Sequence, residues 1–111
     1  MNYIKDIFKD ITVVELSSVL AGPSAGMFFA ELGANVIKIE PPQGDVTRTW
    51  RLKNEDANKS DSAYYSSINY GKQSLFLDLK SEEAIEQIHG LIENADIITA
   101  NFKQGSAAKY R

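Results

Sequence analysis

The sequence predicts an α/β fold, a parallel sheet with helices packed against it. Three observations predict it. Short β-branched runs alternate with helix-length amphipathic segments in the order β-α-β-(α)-β-α-β. The first run, Ile11 to Leu16, is mostly apolar without clean alternation, as in a strand covered on both faces. Turn and cap residues punctuate the boundaries, at Gly22-Pro23, Gly33, Pro41-Pro42, Gly71, Ser81 and Asn94.

Each element follows from its residues. Ile11 to Leu16 is the first strand. Gly22-Pro23 breaks the chain, and Pro23 is placed at the first helical position, where its missing N–H is not needed. Ala25, Phe28, Phe29 and Leu32 then form an apolar stripe at helical spacing, and Gly33 provides a left-handed stop. Val36, Ile37 and Ile39 make a second strand, ended by Glu40-Pro41-Pro42. Residues 43–60 are polar and loop-like. Asp61 is the expected cap of a short helix carrying Tyr64, Tyr65 and Ile68. Ser74 to Leu77 is the third strand. Ser81 caps a further helix with Glu82 and Glu83 in its first turn, where they complement the dipole. Ala84, Ile85, Ile88, Leu91 and Ile92 form its buried face. Asp96 to Ala100 is the fourth strand. Ile4, Ile7 and Phe8 predict a short helix at the start. Crossovers are expected to be right-handed.

The chain has 111 residues, one domain's worth, with 43% apolar and 24% charged side chains. A net charge of −3 does not favour nucleic acid or an anionic membrane as partner. With no cysteine, disulfides, thiolate metal sites and cysteine nucleophiles are excluded. Met1 to Asp6 contains no apolar signal-peptide core, and no stretch approaches the roughly 20 apolar residues that span a bilayer. The expected setting is the cytoplasm, with no metal.

In an open parallel sheet, ligands sit beyond the carboxyl ends of the strands. These ends are Leu16 to Ala21, Ile39 to Pro42, Leu77 to Lys80 and Ala100 to Lys103. The first leads into a helix N-terminus, whose free N–H groups favour an anion. Ala21, Gly22, Ser24 and Ala25 are small enough for a ligand to approach the backbone, or for the helix to pack closely on the sheet. A dinucleotide fingerprint is incomplete: Leu20 takes the place of its first glycine, and Pro23 lies inside the turn. Glu15, Glu40 and Asp45 are the carboxylates nearest the expected cleft. They are read as strand-end caps and ion-pair partners of Lys38 or Arg48 rather than as a hydrolytic pair. His89, the lone histidine, is read as a half-buried structural residue. Tyr64, Tyr65 and Tyr70 are read as packing residues.

Five blocks then point to a family. They are Ser18-Val19-Leu20-Ala21-Gly22-Pro23 with Leu32-Gly33-Ala34-Asn35-Val36-Ile37-Lys38-Ile39-Glu40; Gly44-Asp45-Val46-Thr47-Arg48; Asn69-Tyr70-Gly71-Lys72-Gln73-Ser74; Leu77-Asp78-Leu79-Lys80; and Ala95 to Phe102. In this order and spacing they resemble the start of the family III CoA-transferases, the CaiB/BaiF group that includes formyl-CoA transferase. The resemblance implies that residues 1–111 are part of a Rossmann-like CoA-binding domain, the N-terminal portion of the family's large domain. It implies an enzyme that moves coenzyme A from an acyl-CoA to a carboxylic acid. An aspartate attacks the thioester, and an enzyme-bound CoA thioester follows. That aspartate belongs to a motif expected beyond Arg111, as do a glycine-rich loop and a smaller domain, so no catalytic residue is assigned here. The fragment alone is expected to be inactive, and the full-length enzyme to be an interlocked homodimer.

The CoA contacts that the resemblance implies are Val19, Leu20 and Ala21 on a first loop, Leu77, Asp78, Leu79 and Lys80 on a second, and Asn101, Phe102 and Lys103 on a third, with Lys109 as a further basic contact. Leu20 stands where formyl-CoA transferase has glutamine, and Pro41 where it has arginine. Lys80, Lys103 and Lys109 suit phosphates, and Phe102 offers a flat apolar face. The alternatives are a 2-methylacyl-CoA racemase of the same superfamily, a non-catalytic CoA- or nucleotide-binding module, and a degenerate remnant.

Overall fold

The structure, a computed structural model, describes residues 6–58 and 61–110. Strands β1 (Thr12–Leu16), β2 (Asn35–Glu40), β3 (Gln73–Phe76) and β4 (Ile97–Ala100) form one sheet in the order β3-β2-β1-β4. All three pairings are parallel. Helices α1 (Ala21–Glu31), α2 (Ala63–Asn69) and α3 (Glu82–Glu93) connect them. The predicted α/β class and element order are therefore present. The chain steps outward from β1 through β2 to β3, then returns to the other side of β1. That reversal opens a crevice beyond the carboxyl ends of β1 and β4.

Successive strand residues face opposite sides of the sheet, which gives two cores. Val13, Ala34 and Val36 are buried on one side, packed by Phe8, Ile11, Phe29, Ala30 and Ile97. Val14, Ile39 and Ile88 are buried on the other, where Leu91 and Ile92 of α3 meet Leu75 and Leu77. The predicted face of α3 is the one that packs. Its cap is as expected: the Ala84 N–H donates to Ser81 Oγ.

Several expectations shift. Helix α1 begins at Ala21, so Pro23 occupies its third position, still within the turn whose N–H groups lack intrahelical partners. Its buried residues are Pro23 and Gly26, whereas Ala25 is exposed and Phe28 is 54% exposed. The helix turns its small residues inward because polar side chains, described below, stand under them. The cap of α2 is Ser62, whose Oγ accepts from the Tyr65 N–H at 3.0 Å, while Asp61 pairs with Arg48 instead. A 3-10 turn, Val46–Thr49, lies within the long loop. Residues 6–10 form a turn rather than a helix, and Ile4 lies outside the described residues. His89 is exposed, not half-buried. It lies about 100° round the helix from buried Ile88. Tyr65 is buried and Tyr64 packs edge-on against Trp50, but Tyr70 is exposed. Among the described residues, no helix is long and apolar enough to cross a membrane.

Candidate functional site

A layer of polar side chains lies between the sheet and α1. Glu15 of β1 and Lys38 of β2 are register partners, so their side chains emerge side by side. Both are fully buried. Lys38 Nζ donates to Glu15 Oε2 at 3.0 Å and to the Ser17 carbonyl at 2.9 Å, and lies 3.0 Å from Asp45 Oδ2. Lys72 reaches the other Glu15 oxygen at 2.7 Å and also donates to the Pro23 carbonyl and Asn69 Oδ1. Burial lowers the Lys72 pKa, with Glu15 opposing the fall. At Gly26, a Cβ would fall 1.8 Å from Glu15 Oε1, which is why the helix is bare there. For Asp45, burial raises the carboxyl pKa, but bonds from Thr47 and the charge of Lys38 outweigh it and hold it low.

A second cluster stands beside the first. Arg48 donates to both oxygens of Glu40 and to the Tyr65 hydroxyl, and its guanidinium lies 3.8 Å from the centre of the Tyr65 ring. Burial works to raise the Glu40 pKa, but hydrogen bonds from Arg48, the Asp45 N–H, Ser74 and Tyr65 bring it down to about 2. The folded value lies below the ordinary 4.5, so the stabilisation is complete above pH 4.5 and is lost as pH falls through about 2. The shift corresponds to roughly 3 kcal/mol. Glu40→Gln should therefore flatten the decline in stability on acidification. Urea unfolding midpoints between about pH 7 and about pH 3 test this; an unchanged pH slope would show that Glu40 is not the group responsible.

These clusters fix the loop after β1. Ser17 gives its carbonyl to Lys38. The Ser18 N–H donates to Asn101 Oδ1 at 3.2 Å, and Asn101 Nδ2 donates back to the Ser18 carbonyl at 2.8 Å. The Val19 N–H donates to Asp45 Oδ2 at 3.3 Å. Val19 is held at a φ of 72°, a left-handed conformation that a β-branched residue rarely adopts. Three segments distant in sequence thus impose the shape of this turn. Residual strain of this kind clusters at ligand-binding turns.

Beside the turn is a cleft of about 240 Å³ lined by Leu16, Ser17, Ser18, Ile39, Glu40, Pro41, Leu79, Asn101 and Phe102. It takes residues from the ends of β1, β2 and β4 and from the segment after β3. Of the expected CoA contacts, Leu79, Asn101 and Phe102 line it. Val19, Leu20 and Ala21 form the adjoining turn and the start of α1. Leu77 packs into the core beside α3. Asp78 is exposed and its Oδ1 accepts from the Lys80 N–H, so it caps the turn before α3. Lys80 and Lys109 share a shallow depression with Ser81, Glu82, Glu86 and His89. Lys103 is exposed and its carbonyl accepts from the Ser106 N–H. Among the described residues, no group of three potential metal ligands occurs.

The sequence reading anticipated the pairing of the three carboxylates with Lys38 and Arg48. It missed the burial of Lys72 and the position of Ser17. One signal was available: Lys38 interrupts the apolar run Val36-Ile37-Lys38-Ile39 in a strand of a parallel sheet, whose faces are covered by helices, and a lysine there demands a buried counter-charge.

Comparison with known proteins gives the lineage. The family model for CoA-transferase family III matches residues 8–111. The chain is 43% identical over 104 residues to a succinate–glutarate CoA-transferase of Agrobacterium fabrum, covering 90% of this chain and 26% of that protein. It is 40% identical over 102 residues to a succinyl-CoA:mesaconate CoA-transferase of Haloarcula hispanica, covering 91% and 26%. A crystal structure of a CaiB/BaiF family protein from Brucella suis superposes with a TM-score of 0.80 at 41% identity, covering 90% of this chain and 27% of that one. The chain thus spans about a quarter of the length of these relatives. With a family match across nearly all its length, the chain belongs to CoA-transferase family III.

Proposed function

We propose that these residues form the CoA-binding opening of an acyl-CoA:carboxylate CoA-transferase, with an aspartyl-CoA thioester mechanism in the complete, dimeric enzyme. The observation that carries the reading is the convergence of the β1, β2 and β4 ends and the segment after β3 on one cleft at the switch point of the sheet. Asn101 supports it by fastening the third segment to the first. Phe102 provides the cleft with an apolar wall for adenine or the pantetheine arm. Lys80 and Lys109 line one depression, where their charges would suit the CoA phosphates.

The arrangement suits binding rather than nucleophilic attack. Glu15, Glu40 and Asp45 are all held in ion pairs with Lys38, Lys72 or Arg48, which leaves none of them as a nucleophile. The reading assigns these residues the binding half of the reaction, with the attacking aspartate supplied from elsewhere in the enzyme. Calorimetric titration of the purified chain with CoA tests it. Saturable heat is the expected result, and no heat at millimolar CoA would overturn it.

A further inference from the structure

Ser17 is 6% exposed, and its hydroxyl has no hydrogen-bond partner among the described residues. Three other buried hydroxyls nearby are satisfied: Thr47 on Asp45, Ser62 on the Thr47 carbonyl, and Tyr65 on Glu40. An orphaned buried hydroxyl is uncommon and calls for a reason. Thr99 Oγ1 is also unpartnered, but only Ser17 lines the cleft.

The surroundings of Ser17 Oγ define what it would meet. It lies directly against the first turn of α1, since a Cβ on Gly22 would fall 2.4 Å from it. In that turn Pro23 has no N–H and Ser24 donates to the Leu20 carbonyl, which leaves the N–H groups of Ala21 and Gly22 as donors. The Ser17 carbonyl is already taken by Lys38. The one carboxylate lining the cleft, Glu40, is engaged by Arg48, Tyr65 and the Asp45 N–H. Of these groups only the Ser17 hydroxyl belongs to a residue that lines the cleft and has no partner, and the ligand atom complementary to an O–H donor is an acceptor.

We propose that the Ser17 hydroxyl is a ligand contact that donates a hydrogen bond to a carbonyl oxygen of the CoA-type ligand. The proposal rests on the CoA-binding reading and adds a residue to it. Such an oxygen has two sources: a pantetheine amide, present in free CoA, or the thioester carbonyl, present only in an acyl-CoA.

The test is calorimetric titration of the wild-type chain and of Ser17→Ala with CoA and with acetyl-CoA, together with thermal melting of both proteins without ligand. The expected result is an affinity loss of about tenfold for Ser17→Ala, a factor equivalent to about 1.4 kcal/mol. Its melting temperature should be unchanged or higher, because an unsatisfied buried hydroxyl is removed. Loss with both ligands identifies the amide, and loss with acetyl-CoA alone identifies the thioester; either supports the proposal. Unchanged affinity of Ser17→Ala for both ligands, with the wild type binding, overturns it and leaves the CoA-binding reading intact. A lower melting temperature with unchanged affinity shows a hydroxyl satisfied by water, and also overturns it. A wild-type chain that binds neither ligand removes both readings.

Discussion

Lys38→Met should lower folding stability by about 3 kcal/mol or more, read as a fall in the urea midpoint at constant slope. Few single substitutions of a charged residue have so large an effect, and the reason is geometric. Lys38 Nζ stands within 3.0 Å of two buried carboxylates, those of Glu15 and Asp45, and also satisfies the Ser17 carbonyl. Removing the cation leaves Glu15 with Lys72 as its remaining charged partner and leaves Asp45 with Thr47 and the Val19 N–H. Breaking a buried pair from one side costs about 3–5 kcal/mol, because an uncompensated charge remains. The residual partners place the expectation at the lower end of that range. Lys103→Met, at an exposed position, should change stability by no more than about 0.5 kcal/mol. A Lys38→Met protein as stable as the wild type would mean that the layer under α1 is hydrated, contrary to the packing seen here.

Gly22→Ala and Gly90→Ala should act in opposite directions. At Gly22 the new Cβ would fall 2.3 Å from Ser17 Cβ. That atom is fixed to the backbone and no rotamer change moves it. Relief requires displacement of the 17–19 turn, which Lys38, Asn101 and Asp45 hold in place. Overpacking of this kind costs about 1–3 kcal/mol. The displaced turn should also weaken CoA binding by roughly tenfold, the effect of about 1.4 kcal/mol. At Gly90, inside α3, nothing lies within 4 Å of the new methyl group. There alanine removes the entropic cost of a helical glycine and should stabilise by about 0.5–1 kcal/mol. Thermal melting and CoA titration of the two variants check both signs. Equal effects at the two positions would show that the turn yields freely.

The strands were legible because β-branched residues cluster in them, and α3 because its apolar residues recur at helical spacing above a serine cap. Helix α1 was legible as a helix but not in its orientation. The spacing of Ala25, Phe28, Phe29 and Leu32 assumes that an inward face is apolar, whereas this helix covers Glu15 and Lys72 and must present Pro23 and Gly26 to them. Which residues are inward depends on charges brought in from β1 and the segment before β3, and local periodicity carries no record of those. The α2 cap was misplaced by one residue for a similar reason. Asp61 and Ser62 are both capable caps, and Arg48, distant in sequence, engages the aspartate. The crevice was legible as a set of strand ends. The return of the chain to the far side of β1, which selects β1 and β4 as its walls, came from pairing.

The fastening of Ser18 to Asn101 has a consequence for the order in which the protein acquires its parts. The two residues are 83 positions apart, whereas β1 and β2 meet across a single helix. Long loops close slowly, and contacts of high sequence separation form late. As the chain leaves the ribosome, β1, α1 and β2 can associate well before Asn101 has been synthesised. The cleft is therefore the last feature of this region to assemble, and a chain interrupted before β4 would retain a partial sheet with no wall on the far side of β1.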